Sequence, residues 1–519
     1  MVDVMTLLQG KGDLAAVLGG LSGLVVYPAS IVGDAENLFF LGRFSRGRYL
    51  GVLTGARVVP PFELDMRPVR IDGAELTLGL GPTNHVNALA LRARLPFTAP
   101  TLVGVRKSAG LGDRLGIATP GHVRALREVQ GIFPILAQQS IREMERTGRG
   151  PEEVLDAATW GVFQEGWRSG FGADADHLKT FADVDRCAAA GFLTYTLDPS
   201  EYVDVGAETD SPAVLEAKLK ALPWEILKSE PTKVRQTYLG KAIPVPPAGM
   251  AVGERLAKTV DEGHLLRAAC KYGHAIAHLV TMYQHLMRVR AGQPFEVEIS
   301  VDETDAPTTP LEHYYVASEL GRLGVKWISL APRYVGRFEK GVDYIGDLAH
   351  FEANFAAHVA IAKALGPYKL SLHSGSDKFS IYPLVARIAG GLVHLKTAGT
   401  SYLEALRAVA MLDPELFREI LRFAVAHYER DRASYYVSAK ITNVPEAGSL
   451  PDDALSGLLD QPDVRQVLHV TFGTVLTARD GAGRPRFQER LLAVLEAHEE
   501  IHYGVLQTHM RRHLVPFSD

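Results

Sequence analysis

Residues 368–398 of this 519-residue chain read YKLSLHSGSDKFSIYPLVARIAGGLVHLKTA, a stretch that alternates strand-like and helix-like patterns. The strand patterns cover 368–373 and 392–398, and an amphipathic helix pattern at 382–389 separates them. A strand, a helix and a further strand in this order are typical of a parallel βαβ unit, because the helix returns the chain to the edge where the first strand began. The stretch therefore predicts a parallel sheet covered by helices.

Six further strand patterns precede this unit, and helical stretches follow most of them. Eight parallel strands with intervening helices favour a closed (β/α)8 TIM-type barrel over an open doubly wound sheet. A barrel needs about 250 residues, so the chain has room for additional segments. The six strands are predicted at 113–119, 133–138, 171–177, 192–198, 295–303 and 325–331.

Three segments are predicted outside the barrel strands. Residues 1–105 mix short strand patterns with turns and indicate an N-terminal α/β cap. The barrel is predicted over 106–412, with a helical insertion at about 200–293. Residues 413–519 indicate a C-terminal helical extension, in which 487–513 keep a 3.6-residue apolar rhythm.

The composition, with 47% hydrophobic and 22% charged residues, is that of a folded globular protein. A net charge of -5 and the lack of a basic patch argue against nucleic-acid binding. No run of about 20 apolar residues is present, so we expect no membrane span and a cytoplasmic location. A small molecule is the expected partner, and the sequence leaves open whether the chain forms a homo-oligomer.

Active sites of such barrels lie where the strands end, and residues 172–179 (GADADHLK) form an unusually polar strand end. Two carboxylates and a histidine are costly to bury there unless they bind a cation or each other. We interpret Asp176 as a candidate acid/base and His177 as a candidate metal ligand. A structural Asp–His hydrogen bond is the alternative.

A second histidine, His373, ends another strand and precedes Ser-Gly-Ser, whose N–H groups could bind an anion. Lys378 adds positive charge to this loop. A single strand-end histidine is more often a core residue than a ligand. Two of them on different barrel strands favour a shared metal ion.

The strand at 295–303 carries acidic residues on the face directed into the barrel. Crowded carboxylates shift one another's pKa values, so Glu298 is a candidate acid/base and Asp302 a candidate substrate contact. An edge strand with a solvated face is the alternative. Elsewhere, Gln139 suits sugar hydroxyls, Glu339 could complete a metal site and Lys396 projects from the last strand.

At these residues the chain resembles the tagaturonate/fructuronate epimerase family, which includes tagatose 4-epimerases. The resemblance runs from about residue 106 to the C-terminus and implies a divalent-metal epimerase that inverts one carbinol of a ketohexuronate or ketohexose. The matching stretches are 110–116 (GLGDRLG), 133–140 (FPILAQQS), 159–165 (TWGVFQE), 170–179 (GFGADADHLK), 300–304 (SVDET), 372–379 (LHSGSDKF) and 396–406 (KTAGTSYLEAL).

The resemblance also implies roles for individual residues. Asp176 is expected to accept a proton and Glu298 to donate one. His177 and His373 are expected to bind a divalent cation (Zn, Mn, Ni or Co), with Glu339, in the loop after the sixth strand, chosen as the third ligand. The expected substrate contacts are Gln139, Asp302, Lys378 and Lys396.

The inverted carbon lies β to the ketone, so deprotonation next to the carbonyl would not reach it. Retro-aldol cleavage and re-addition is therefore the hypothesis, and transient oxidation would require a nicotinamide for which the sequence offers no site. Two alternatives stay open. The strand ends at Asp176 and His373 are similar to those of class II aldolases, and the chain could also be a non-catalytic barrel subunit of such an enzyme.

Overall fold

The computed structural model describes residues 12–34, 36–44, 47–55, 61–244, 259–304 and 306–519. The remaining residues, which fall mainly in the predicted cap and insertion, lie outside the described part of the chain. Within the described ranges, no helix combines the length and the apolar character that a bilayer span requires.

An antiparallel sheet of six strands precedes the barrel, with strand order β1-β3-β4-β6-β5 and β2 paired to β3. Leu38 and Phe40 of β3 pack on one face, while Phe39 and Leu41 pack on the other against the helices that follow. Both faces are buried, which explains the continuous apolar run of this strand. The strands are β1 (Val25–Val26), β2 (Val32–Gly33), β3 (Asn37–Arg43), β4 (Arg48–Thr54), β5 (Asp65–Ile71) and β6 (Ala74–Pro82).

Eight parallel strands then form a closed barrel, which confirms the predicted (β/α)8 fold. Closure is made by β14 and β7, where His394 pairs with Ser108 and Thr397 with Leu111. The strands are β7 (Ser108–Leu111), β8 (Phe133–Ser140), β9 (Gly172–Leu178), β10 (Thr194–Leu197), β11 (Glu296–Val301), β12 (Ser329–Pro332), β13 (Lys369–Leu372) and β14 (Val393–Thr397).

Seven of the eight barrel strands overlap the predicted ones, but the prediction of a strand at 113–119 is wrong. The first strand, β7, ends at Leu111. The Asp113 carboxylate accepts hydrogen bonds from the N–H groups of Leu115, Gly116 and Ala118. A side chain that binds three backbone donors of one short segment in this way holds a turn rather than a strand.

Helices cover the barrel and form the segments around it. The 29-residue α10 is the longest helix of the insertion between β10 and β11, and α15 to α18 form a second core together with α14. The division at residues 105 and 412 stays a prediction. The helices are α1 (Leu14–Ser22), α2 (His85–Arg94), α3 (Thr119–Leu126), α4 (Ile141–Thr147), α5 (Pro151–Glu165), α6 (Phe181–Ala190), α7 (Pro212–Ala221), α8 (Trp224–Leu227), α9 (Pro231–Tyr238), α10 (Glu262–Arg290), α11 (Pro310–Arg322), α12 (Leu348–Leu365), α13 (Tyr382–Ala389), α14 (Thr400–Leu412), α15 (Pro414–Asp431), α16 (Pro462–Val470), α17 (Phe472–Thr477), α18 (Gln488–Ala497) and α19 (Glu499–Leu514).

Candidate active site

Two histidines from different strands meet at the carboxyl-terminal mouth of the barrel. His177 lies near the end of β9 and His373 directly follows β13. Nε2 of His177 and Nδ1 of His373 are 3.1 Å apart, and the two rings stand nearly perpendicular at 82°. The structure thus brings together the two imidazoles on which the metal hypothesis depends.

Each imidazole is held from behind by a buried carboxylate. Nδ1 of His177 lies 2.9 Å from Oδ2 of Asp198, and Nε2 of His373 lies 2.6 Å from Oε1 of Glu298. Metal-binding histidines usually donate their second N–H to a carboxylate, which fixes the ring and frees the other nitrogen for the metal. Asp198, the residue after β10, was not singled out from the sequence, although it ends a predicted strand.

The inward-facing atoms fit a divalent cation. Two nitrogens held about 2.1 Å from a metal at a near-tetrahedral angle lie about 3.4 Å apart, close to the observed 3.1 Å. Asp176 offers an oxygen 3.9 Å from Nε2 of His177, and one ligand atom from each of Asp176, His177 and His373 lies within 4.8 Å of the others. Asp302 offers a second oxygen, 3.1 Å from Nδ1 of His373. Nitrogen and carboxylate donors of this kind suit zinc and its neighbours in the first transition row.

The electrostatics of this group favour positive charge. Burial alone would lower the pKa of both histidines, but Asp176 and Asp198 raise the pKa of His177 to about 9. In the same way Asp302 and Glu298 outweigh burial and raise the pKa of His373 to about 10. A pair of imidazoles surrounded by carboxylates is a good environment for a cation.

Lys396 lies beside this group and is shared by three carboxylates. Its Nζ is 2.8 Å from Asp174, 2.6 Å from Asp176 and 2.7 Å from Glu298. Burial opposes its charge, yet these carboxylates hold the pKa of Lys396 well above its usual range. One ammonium does not neutralise three buried carboxylates, and burial raises the pKa of Asp174 to about 6. Gln138 supports the same arrangement, since its Nε2 donates to Oδ2 of Asp176 at 3.2 Å.

A cavity of about 380 Å³ opens over the histidine pair, a size suited to a small ligand. Asp176, His177, Asp302, His373 and Lys396 all line it. The C-terminal extension lines it as well, through Tyr435, Tyr436 and His469. These three residues are far from the barrel strands in sequence, and only the aromatic pair could have suggested a binding role.

Three of the predicted site residues lie elsewhere. The Glu339 carboxylate accepts hydrogen bonds from Oγ of Ser438 at 2.6 Å and Nε2 of Gln466 at 2.9 Å. It is not in the group with His177 and His373, so the geometry does not support Glu339 as the third metal ligand. A buried carboxylate with two donors of its own has no need of a cation.

Lys378 and Gln139 are also absent from the cavity lining that the described residues form. Nζ of Lys378 donates to the backbone oxygens of Glu339, Val342 and Ser376. This ammonium therefore holds the loop after β13 against the loop after β12. Gln139 is buried on the other side of β8, whereas its neighbour Gln138 faces the cavity.

Glu298 differs from its expected position in a subtler way. Its side chain is 2% exposed and lies behind His373 and Lys396, the two residues that line the cavity. Burial would raise its pKa, but Lys396 and His373 hold the pKa of Glu298 well below its usual range. An ionised carboxylate at this depth orients its two partners.

A second buried cluster holds the loop after β13. Oδ1 of Asp377 is 2.7 Å from Nε2 of His509, and the Asp377 N–H donates to Nε2 of His513 at 2.9 Å. Arg465 lies 2.9 Å from the other oxygen of Asp377. Each of these groups already has a partner, and burial lowers the pKa of His513 to about 3. The cluster therefore ties α19 to the loop that carries Ser374 and Ser376.

Comparison with known proteins shows to which family the chain belongs. A family model described as tagaturonate epimerase matches residues 27–516. The chain belongs to the tagaturonate epimerase family. A tagaturonate/fructuronate epimerase of Thermotoga maritima is 44% identical over 492 residues, covering 95% of this chain and 96% of that protein.

Solved structures agree with this membership of the tagaturonate epimerase family. The native crystal structure of fructuronate-tagaturonate epimerase from Cohnella laeviribosi is 37% identical, with a TM-score of 0.87 and coverage of 98% of this chain and 99% of that one. A glycerol complex of the same enzyme has the same identity and TM-score. The resemblance based on sequence motifs is thus confirmed, and the chain is a carbohydrate epimerase, an isomerase.

Proposed function

We propose that this member of the family interconverts D-tagaturonate and D-fructuronate, with the neutral pair tagatose and fructose as the alternative substrates. The single observation that carries the proposal is the pairing of His177 and His373 at 3.1 Å in a barrel mouth rich in carboxylates. The relatives described above carry epimerase names for this pair of uronates.

His177 and His373 would hold a divalent cation (Zn, Mn, Ni or Co), together with a carboxylate oxygen of Asp176 or Asp302. When bound, such a cation supplies Lewis-acid polarisation of the substrate's carbonyl oxygen. Asp198 and Glu298 keep the two imidazoles oriented with one nitrogen free.

The carbon to be inverted bears a hydroxyl group β to the ketone, which suits a retro-aldol reaction. Asp176 takes the proton of the C4 hydroxyl, and the C3–C4 bond breaks. The electron pair of that bond stays with C3, next to the C2 carbonyl. The three-carbon aldehyde turns, the bond forms again on its other face, and the C4 oxygen recovers a proton.

Proton handling falls to Asp176 and Lys396, which touch each other at 2.6 Å. Lys396 helps to hold the pKa of Asp176 below its usual range, against the effect of burial, which keeps this carboxylate ionised. Glu298 contacts the cavity-lining residues Lys396 and His373, so a proton given from its side passes through one of these two groups.

The test is a metal-titrated assay of the intact protein on tagaturonate, fructuronate, tagatose and fructose, with Asp176→Asn for comparison. We expect each uronate to be converted into the other and the variant to lose most turnover. Release of three-carbon products instead of an epimer would identify a class II-type aldolase. Lack of turnover of all four sugars with every metal would favour a non-catalytic barrel subunit.

Isotopes separate the chemical routes. Retro-aldol cleavage leaves the C4–H bond intact, so C4-deuterated tagaturonate should react without a primary kinetic isotope effect. A primary effect at C4 would contradict the retro-aldol route and indicate hydride or proton removal from that carbon.

A further inference from the structure

Four cationic side chains besides Lys396 line the cavity: Arg114, Arg142, Arg333 and Lys340. Two of them are neutralised within the protein. Arg114 pairs with Glu143 at 2.7 Å, and Arg142 pairs with Glu303 at 3.0 Å.

Lys340, in the loop after β12, differs from these arginines. Within the described part of the chain no carboxylate lies in ion-pair distance of its Nζ, which donates to Oγ of Ser374 at 2.6 Å. Burial and the positive charge of Arg142 lower the pKa of Lys340, and the carboxylates of Glu303, Glu143 and Asp302, which lie beyond ion-pair distance, offset this only in part. A half-buried ammonium in a cavity wall whose direct partner is one hydroxyl has room for a further, anionic partner.

Arg333 also lacks a carboxylate partner among the described residues, but its surroundings are different. Its guanidinium lies 5.9 Å from the ring of Tyr436, a side chain that is 60% exposed. Arg333 thus faces an exposed aromatic side chain. Lys340, by contrast, contacts Ser374, the residue that follows His373.

We infer that Lys340, with Ser374 and the nearby Arg142, forms a subsite for the substrate's carboxylate group and thereby makes the enzyme selective for ketohexuronates over neutral ketohexoses. This inference rests on the proposed function. It replaces Lys378, whose ammonium is occupied by three backbone oxygens.

The position of the subsite suits the length of the substrate. Ser374 directly follows His373, and consecutive Cα atoms lie about 3.8 Å apart. The carboxylate carbon of a ketohexuronate is four C–C bonds from the ketone, roughly 5 Å in an extended chain. His373, Ser374 and Lys340 line the same cavity, so a substrate whose ketone lies near the histidine pair can extend along the wall that carries Ser374 and Lys340.

The backbone of Ser374 supports a functional role. Its φ of 51° is in the left-handed region, which a serine rarely adopts, and the same is true of His177 at 54°. Such conformations persist where the surrounding structure enforces them, and they are concentrated at binding sites. Ser374 is thus held where its hydroxyl meets the ammonium of Lys340.

The test compares kcat/KM for tagaturonate and for tagatose in Lys340→Met, at saturating metal. Loss of a charge-assisted contact should lower kcat/KM for the uronate about 10- to 100-fold, mainly through KM. The neutral ketose, which has no carboxylate, should lose much less. Where tagatose turns over too slowly to measure, its Ki as a competitive inhibitor of tagaturonate conversion replaces kcat/KM.

Three further variants make the result specific. Lys340→Arg should restore most of the preference for the uronate, and Ser374→Ala should reduce it less than Lys340→Met does. Lys326→Met is the matched control, because Lys326 is exposed at the opposite end of β12. It should behave like the parent protein.

Equal losses for tagaturonate and tagatose in Lys340→Met would overturn the inference and make Lys340 a structural residue. Unchanged kcat/KM values for both sugars would overturn it as well. Failure of the proposed function looks different, because the parent protein would then convert none of the sugars or would cleave them to three-carbon products. A metal content equal to that of the parent shows that Lys340→Met has kept the histidine pair intact.

Discussion

Replacement of Asp198 by asparagine tests whether the histidine pair binds a metal. The two carboxylate oxygens of Asp198 have different partners. Oδ1 accepts the N–H of Ser200 at 2.8 Å, and Oδ2 faces Nδ1 of His177 at 2.9 Å. An asparagine keeps the Ser200 bond only with its carbonyl oxygen in the Oδ1 position, which turns its NH2 group toward His177. Lys179, 3.7 Å from Oδ2, disfavours that NH2 group further.

The consequence for His177 is a change of tautomer. With an NH2 group beside it, Nδ1 must act as an acceptor, so the hydrogen of the neutral ring moves to Nε2, the nitrogen that would bind the metal. Loss of a carboxylate partner behind a metal-binding histidine lowers metal affinity about 10- to 100-fold. Because the asparagine also favours the wrong tautomer, we expect the loss of metal affinity in Asp198→Asn to be near 100-fold, which corresponds to about 2.7 kcal/mol of binding free energy.

The assay is a direct titration of chelator-treated protein with Zn²⁺ or Mn²⁺, by calorimetry or by competition with a chromogenic chelator. Asp185→Asn is the matched control, since Oδ1 of Asp185 lies 2.7 Å from Nε2 of His285 on the outer surface. It should bind metal like the parent. A dissociation constant for Asp198→Asn within threefold of the parent's value, or an equal loss in Asp185→Asn, would refute the reasoning.

Three more predictions follow from the same geometry. Removal of metal by a chelator should abolish epimerisation, and Zn²⁺, Mn²⁺, Ni²⁺ or Co²⁺ should restore it; activity that survives exhaustive chelation would contradict the metal site. Glu339→Gln should leave metal affinity unchanged in the same titration but lower the unfolding temperature, because Ser438 and Gln466 lose an ionised acceptor, a loss of about 1–3 kcal/mol. The third prediction concerns stability in acid. Burial lowers the pKa of His122 to about 4, so between pH 6.5 and pH 4 the unfolded chain binds a proton that the folded protein does not. The free energy of unfolding therefore falls as the pH falls. His122→Leu should therefore show a smaller decrease in unfolding temperature between pH 7 and pH 5 than the parent, by an amount equivalent to about 2 kcal/mol; equal decreases would show that His122 does not contribute.

The barrel was predictable because its strands and helices differ in apolar period, and seven of the strands follow that rule. The first strand was misplaced because the residues 113–119 look extended, whereas the Asp113 carboxylate binds three backbone N–H groups of that segment. Side chains that compete for backbone donors in this way leave little trace in hydrophobic periodicity.

Gln139 was an expected substrate contact, but its neighbour Gln138 lines the cavity, and the reason is geometric. The register between β8 and β9 shifts between Ile135 and Ala137, which is the mark of a bulge. One extra residue in a strand exchanges its two faces from that point onward. Gln138 consequently faces the cavity, a result that simple alternation along the strand does not determine.

Residues at the strand ends could be found from sequence, while those that arrive from remote segments could not. His177 and His373 each place a costly polar group at the end of a buried strand, so the sequence itself marks them. Tyr435 and His469 belong to the helical extension, and only the folded chain brings them to the barrel mouth. Glu339 was chosen for its charge, but Ser438 and Gln466, about a hundred residues farther along, already bind that charge.

The distribution of charge in the cavity explains how one substrate orientation is selected. Around the histidine pair, Asp174, Asp176 and Glu298 share the ammonium of Lys396, and Asp302 pairs with His373, so this region suits a cation. Among the described residues no carboxylate lies in ion-pair distance of Lys340, so its region of the wall suits an anion. A ketohexuronate has matching ends, a carbonyl group that a cation polarises and a carboxylate that an ammonium attracts. Reversing the substrate would place its carboxylate beside the buried carboxylates of Asp174, Asp176 and Glu298, which costs far more than a misplaced hydroxyl would. Lys340→Met should accordingly weaken the control of orientation as well as affinity, and a neutral ketose should bind without that control in both proteins.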